Sequence, residues 1–175
     1  MSNKAIILIG MQGCGKSTYA KELESKNPDM KRVSRDDIRF MMFDINKYHE
    51  KFEEVHEKFG TYLNYIYWTM AEVIIDQGLT LILDETHHLQ EHRQDSIQLL
   101  RDINPDITIE AHYIPVDISL ALERNAQRRP EQVVPEVVVR DFQQRLLAGL
   151  GGSWSLWDII NKLINEGFDN VVVRT

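Results

Sequence analysis

The chain has 175 residues, 43% of them hydrophobic and 27% charged, with a formal net charge of -7; these are the values of an ordinary folded protein with room for one sizeable core. No apolar run approaches the ~20 residues of a membrane-spanning helix, and the surplus of acid disfavours broad coating of nucleic acid, which takes a basic excess to neutralise phosphates. Cys14 is the only cysteine, which excludes an intramolecular disulfide and a four-cysteine zinc site.

Met1-Ser2-Asn3-Lys4 leads straight into a short apolar stretch without the features of a secretory signal, so a cytoplasmic protein is expected. Residues 4–9 (KAIILI) are apolar without alternation, the pattern of a strand buried on both faces of a parallel sheet. Residues 16–27 are good helix formers stopped at Asn27-Pro28, and a brief strand is expected at 31–33. Ser34 reads as the N-cap of the next helix, with Asp37 completing a capping box. Residues 50–77 form a long helix whose apolar positions Val55, Phe59, Leu63, Ile66, Met70, Val73 and Ile74 recur every three or four residues and are expected to cover one face of the sheet. Gly78 stops it, and residues 79–84 (LTLILD) are a second apolar strand ending on an acid. A helix at 89–102, a strand at 107–114 and a helix at 117–128 follow. A proline-bearing loop at 129–134 leads to a helix from Pro135 to Leu147, with Pro135 in its first turn. Beyond Gly149, Gly151 and Gly152, a helix at 154–166 and a strand at 169–174 can complete the sheet. The alternation of strand and helix predicts a parallel sheet with helices on both faces and right-handed crossovers.

Residues 10–17 (GMQGCGKS) fit G-x-x-x-x-G-K-[ST], whose glycines let backbone N–H groups turn inward around phosphate oxygens. The loop follows an apolar strand and opens a helix, so the helix N-terminus adds its partial positive charge to the site. Lys16 is expected to reach the β and γ phosphates of ATP and Ser17 to give a hydroxyl to Mg²⁺. Gly10, Gly13, Cys14, Gly15, Lys16, Ser17 and Thr18 are the expected triphosphate contacts, Cys14 as a small filler. The whole therefore reads as an α/β P-loop NTPase three-layer sandwich: a parallel central sheet flanked by helices, one domain over 1–175. Asp84 stands where this architecture puts its chemistry, beyond the carboxyl end of a strand, near the metal or the acceptor.

Two further clusters bear on what such a loop would serve. Asp36 and Arg39 are three apart at a helix start, so one face presents a carboxylate able to take a proton beside a guanidinium able to grip an anion; the plainer alternative is a surface ion pair. Arg124 and Arg128 are four apart and expected to project together from a helix leading into a proline loop, forming a lid over about 124–135 that brings cations to a transferred phosphoryl group. The alternative for these two is a solvated basic face. His87 and His88 follow Asp84-Glu85 in one short turn without the spacing of a metal site, and are expected to bind substrate or nothing. Tyr62, Tyr65, Trp68, Trp154 and Trp157 are expected to pack in or near the core rather than stack on bases.

GMQGCGKST, SRDDIR and ERNAQRR, in this order, resemble the kinase domain of the phage-type polynucleotide 5′-hydroxyl kinases over roughly residues 4–147. The resemblance implies that Asp36 is the general base for the 5′-hydroxyl, that Arg39 holds the acceptor's phosphate, that Lys16 and Ser17 serve ATP and Mg²⁺, and that Arg128 contacts the ATP phosphates and supports the transition state. It makes Asp84 an acceptor-site or metal-proximal acid; Arg124, from the lid cluster, is expected among the substrate-binding residues as well. The resemblance does not reach the phosphatase domain of the phage enzyme, so it implies phosphorylation alone, and Gln12 stands where that family commonly has proline. Related P-loop kinases of antibiotics, sugars or tRNA-linked amino acids share these elements. The expected partners are thus a nucleoside triphosphate and either a nucleic-acid 5′ end or a small-molecule acceptor, with a nucleotide-dependent switch as the reading from another class.

Overall fold

The computed structural model describes residues 3–42, 48–152 and 155–174, with the side chains at 48–56 and 131 excepted. Five strands, β1 (Lys4–Ile9), β2 (Met30–Val33), β3 (Thr80–Leu83), β4 (Thr108–Tyr113) and β5 (Asn170–Val173), form one sheet in the order β2-β3-β1-β4-β5. Every neighbouring pair is parallel, with Ile7 of central β1 in register with Leu83 on one side and Ala111 on the other. The unbroken apolar run of β1 follows from that position, since both of its faces are covered. Ala5, Ile7 and Ile9 face the larger core, Ile6 and Leu8 the smaller.

The larger core is built mainly by α3 (Tyr48–Asp76), α4 (Gln90–Ile103), α6 (Glu136–Gly149) and α7 (Leu156–Glu166), whose Leu63, Leu100, Leu146 and Leu163 are among its buried residues, with Ile38 and Ala121 added from two shorter helices. The smaller core holds Ile6, Leu8 and Ile82 against Ala20 of α1 (Lys16–Lys26), with Leu23 partly buried beside them. Helices lie on both faces as expected, but unequally.

The long helix packs on a face that only partly matches its apolar repeat: Leu63 is buried and Ile66 and Ile74 are partly buried against the core, but Met70 and Val73 fall outside it. Leu63, Tyr67, Ala71 and Ile75, spaced by four, are the buried set, whereas Met70 and Val73 are exposed; the side chain of Val55 lies outside the described residues. Tyr67 and Ala71 carried too little apolar signal to outweigh Met70 and Val73, yet a small residue is what lets a helix approach a sheet closely. Gly78 does stop this helix, at a φ of 70°.

Other boundaries shift by one or two residues, three with consequences. The helix after β4, α5, spans Ile118–Ala126, so Arg128 lies past its end rather than on it. Asn125 takes over there: its side chain donates to the Val134 carbonyl at 2.7 Å and accepts from the Val134 N–H at 3.1 Å, tying the two ends of the proline loop together. Pro135 is the N-cap of α6, not a first-turn residue. The capping box at α2 (Arg35–Met42) is half formed: Ser34 Oγ accepts from the Asp37 N–H at 3.4 Å, while the Asp37 carboxylate is taken by Arg32.

Candidate nucleotide and acceptor site

The chain leaves β1 at Ile9 and turns through residues 10–15 into α1. Gly13 sits at a φ of 79°, and a Cβ there would come within 2.5 Å of the Ala121 carbonyl oxygen on α5, so the turn takes glycine for both conformation and space. Lys16 Nζ donates to the carbonyls of Gly10 at 2.9 Å and Met11 at 2.8 Å, inside the loop. Above it opens a cavity of about 370 Å³, walled by Gly13, Gly15, Lys16, Ser17 and Thr18 on one side and by Arg124, Gln127 and Arg128 on the other. Arg124 reaches across, Nη1 donating to the Gly13 carbonyl at 3.4 Å. Three cations, two hydroxyls and a helix N-terminus around one concavity suit a chain of phosphates. Cys14 is buried beside Lys16, and neither it nor Gly10 is among the residues that wall the cavity.

Asp36, Arg39 and Asp84 do not line this cavity. They gather at the same carboxyl edge of the sheet, beyond β2 and β3. Asp36 lies in the first turn of α2, its carboxylate 64% exposed, and accepts from Arg39 Nη1 at 2.7 Å. Asp84, beyond β3, is buried, and its Oδ2 accepts from Arg32 Nε and Nη2, both at 2.7 Å. Arg32 also meets Asp37. Burial opposes the Arg32 charge, but its bonds to Asp37 and Asp84 prevail and hold its pKa above the ordinary arginine value. Arg35 pairs with Glu85, donates to Asn64 Oδ1 of α3 at 2.7 Å and lies over the Tyr67 ring at 4.4 Å. Arg32 and Arg35 thus clamp the start of α2 to the strand ends. Neither was singled out from the sequence, where an arginine in a strand and another before two acids look like surface charge; β-strand parity does place Arg32 opposite Ile82.

The loop after β3 is braced from below. Thr86 O accepts from the Gly10 N–H at 3.2 Å, and His87, at a φ of 41°, donates through Nδ1 to the Leu8 carbonyl at 3.0 Å. Burial lowers the pKa of His87, and burial together with neighbouring His92 takes His88 down to about 4, so both imidazoles are neutral at pH 7. His88 packs on the Phe142 ring at 4.4 Å. The two histidines thus serve the loop's packing rather than facing the cavity. The expectation for the aromatics is corrected in part: Tyr62 and Tyr65 are 63% and 71% exposed and Trp157 is also exposed, while Trp68 is partly buried; Trp154 lies outside the described residues. The i, i+3 pair at 62 and 65 falls off the stripe set by 63, 67, 71 and 75. Gln12 holds its side-chain Oε1 buried with no hydrogen-bond partner among the described residues.

A family model of the AAA domain matches residues 6–148. The chain belongs to this AAA domain family. The AAA domain also resembles solved structures at low sequence identity, which establishes the fold. A chain of the Pnkp1/Rnl/Hen1 RNA repair complex superposes with a TM-score of 0.68 at 20% identity, over 85% of this chain and 45% of that one. The AAA domain therefore spans less than half the length of that relative, and 42% of a second chain of a Pnkp1/Rnl/Hen1 complex. A fungal RNA kinase matches with a TM-score of 0.64 at 15% identity, over 100% of this chain and 75% of that one. Deoxyadenosine kinase from M. mycoides, with bound dATP, matches with a TM-score of 0.52 at 16% identity, covering 98% and 90%. Among the described residues no helix of the AAA domain is long and apolar enough to cross a membrane.

Proposed function

We propose that this protein is an ATP-dependent kinase that transfers the γ-phosphoryl group of ATP to the 5′-hydroxyl of a polynucleotide, acting as one P-loop domain in the cytoplasm and serving nucleic-acid end repair. The observation that carries the reading is the presence of two half-sites at the same carboxyl edge of the sheet: a cavity flanked by Lys16, Ser17, Arg124 and Arg128 beyond β1, and an exposed carboxylate, Asp36, paired with Arg39 beyond β2. A binding-only domain needs the first half-site and not the second. The similarity to RNA kinase folds agrees with the acceptor class.

In this reading the P-loop N–H groups, Lys16 and Arg128 hold the triphosphate, and Arg124 fixes the loop through Gly13. The Ser17 hydroxyl, exposed at the first turn of α1, is a fitting ligand for Mg²⁺, which when bound would offset phosphate charge. Asp36 takes the proton from the 5′-hydroxyl as that oxygen bonds to the γ-phosphorus, and the bond to the bridging oxygen breaks to leave ADP. Arg39 orients Asp36 and grips the acceptor's phosphate. Asp84, already neutralised by Arg32, acts on the acceptor side by fixing the start of α2.

Incubation with radiolabelled ATP and a 5′-hydroxyl oligonucleotide tests the reading, and Asp36→Asn should lower transfer by about a hundredfold or more while nucleotide binding survives. A second reading, a kinase of a nucleoside or other small molecule, is favoured by the net charge of -7. Label appearing on metabolites and not on the oligonucleotide would establish it instead. An Asp36→Asn rate equal to wild type would point to a different base, and no transfer by either protein with nucleotide binding intact would favour a nucleotide-dependent switch.

A further inference from the structure

Arg93, on α4, is fully buried and spends all of its hydrogen-bonding capacity inside the protein. Nε and Nη2 grip the two carboxylate oxygens of Glu166 on α7 at 2.6 and 2.7 Å. Nη1 donates to the carbonyls of His87 at 3.0 Å and His88 at 3.2 Å, and Nη2 also donates to the Gly149 carbonyl at 2.7 Å. A guanidinium has five N–H donors in a rigid fork, and these five bonds match them. Gly149 completes the joint, because a Cβ there would stand 2.4 Å from the His88 carbonyl oxygen; the end of α6 lies directly on the loop.

That loop is the one that touches both half-sites. Its Thr86 carbonyl holds the Gly10 N–H of the P-loop, its Glu85 holds Arg35 next to Asp36, and Asp84 at its start holds Arg32. A buried ion pair is a poor device for stability alone, since well-packed apolar residues commonly serve as well or better. The geometry points to Arg93, with Glu166 as its counter-charge, as a positioning residue: it fixes the Asp84–His88 loop and thereby the placement of Asp36 relative to the phosphates. It also gives the segment beyond Gly149 a function, as the carrier of the acid that lets a charge be used at this depth. The kinetic side of this inference rests on the phosphotransfer reading above; its conformational side does not.

Arg93→Lys is the discriminating variant, because it keeps a cation beside Glu166 but has no fork to span the carboxylate and three carbonyls. Two readouts are taken on the folded protein well below its melting temperature. In oligonucleotide phosphorylation, kcat/KM for the acceptor should fall about ten- to a hundredfold, as small misplacements of reacting groups do, with KM for ATP within about twofold. In residue-resolved hydrogen exchange, the Gly10 amide, which depends on Thr86, should exchange at least about tenfold faster while amides of the β1–β4 ladder are unchanged. A lowered melting temperature with unchanged kinetics and unchanged Gly10 exchange would overturn the inference, leaving Arg93 a scaffold residue. An Arg93→Lys chain that does not fold would overturn it likewise. Wild-type protein inactive on the oligonucleotide would reject the acceptor reading, and the exchange experiment would still decide the role of Arg93.

Discussion

Arg32→Met should destabilise the protein by about 3 to 5 kcal/mol, the range found when one partner of a buried ion pair is removed. The side chains of Arg32 and Asp84 are 7% and 2% exposed, and Asp84 Oδ2 accepts from both Nε and Nη2 of Arg32. Without the guanidinium, the carboxylate stays in a site that water does not reach. The contact between Arg32 and Asp37 adds little to this figure, because Asp37 is mostly exposed and such pairs are worth about 1 kcal/mol or less. Urea unfolding followed by far-UV circular dichroism reads the change directly. At a slope of about 2 kcal/mol/M the midpoint should fall by about 2 M. The double variant Arg32→Met/Asp84→Asn removes the stranded charge and should recover at least about half of the loss. If Arg32→Met lies within about 1 kcal/mol of wild type, or if the double variant is no more stable than the single one, the pair is not the buried clamp described and the argument fails.

Gly13→Ala should cost about 1 to 2 kcal/mol from its left-handed backbone alone and, by displacing Ala121, abolish the rise in melting temperature that ATP produces; an undiminished ATP shift would refute the fit of α5 on the loop. Tyr62→Ser/Tyr65→Ser should change stability by no more than about 0.5 kcal/mol per site, as exposed positions do, and a loss of several kcal/mol in urea unfolding would show that the pair is covered. Stability should also depend on pH through His88. Burial holds its folded-state pKa at about 4, whereas an unfolded histidine titrates near ~6.5. Between those values the unfolded chain binds the proton and the folded chain does not, so the contribution is complete above about pH 6.5 and is lost as pH falls towards 4, by about 2 to 3 kcal/mol. His88→Gln should flatten the pH dependence of the unfolding free energy in that window, and an unaltered slope would refute the assignment.

The fold was legible because its signals are local. KAIILI and LTLILD are apolar throughout since their strands are covered on both faces, and the glycines and lysine of residues 10–16 declare a phosphate loop wherever they fall between a strand and a helix. The arginines at 124 and 128 were also readable, and both reach the cavity although Arg128 does so from a turn. What the sequence hid was pairing at a distance. Arg32 meets Asp84 across 52 positions, Arg35 meets Glu85 across 50 and Arg93 meets Glu166 across 73. A charged residue that ends up buried looks, in one dimension, like any solvated one until its partner is known. The burying stripe of α3 was only partly readable for a related reason: Leu63, Ile66 and Ile74 do face the core, but a periodic count scores Met70 and Val73 above Ala71, whereas close approach to a sheet favours the small side chain.

The unequal layering bears on how the molecule loosens. The larger core draws buried residues from α2 through α7, whereas α1, the helix that begins with Lys16, buries Ala20 in the small cluster with Ile6, Leu8 and Ile82, with Tyr19, Leu23 and Met30 partly buried around it. Subglobal opening draws first on segments with few buried apolar contacts, so the part that grasps the nucleotide is also the part with least to lose by letting go. In the proposed reaction ATP would then work as a fastener as much as a reactant, and a protease added to the empty protein should nick near residues 19–27 before it reaches any other helix.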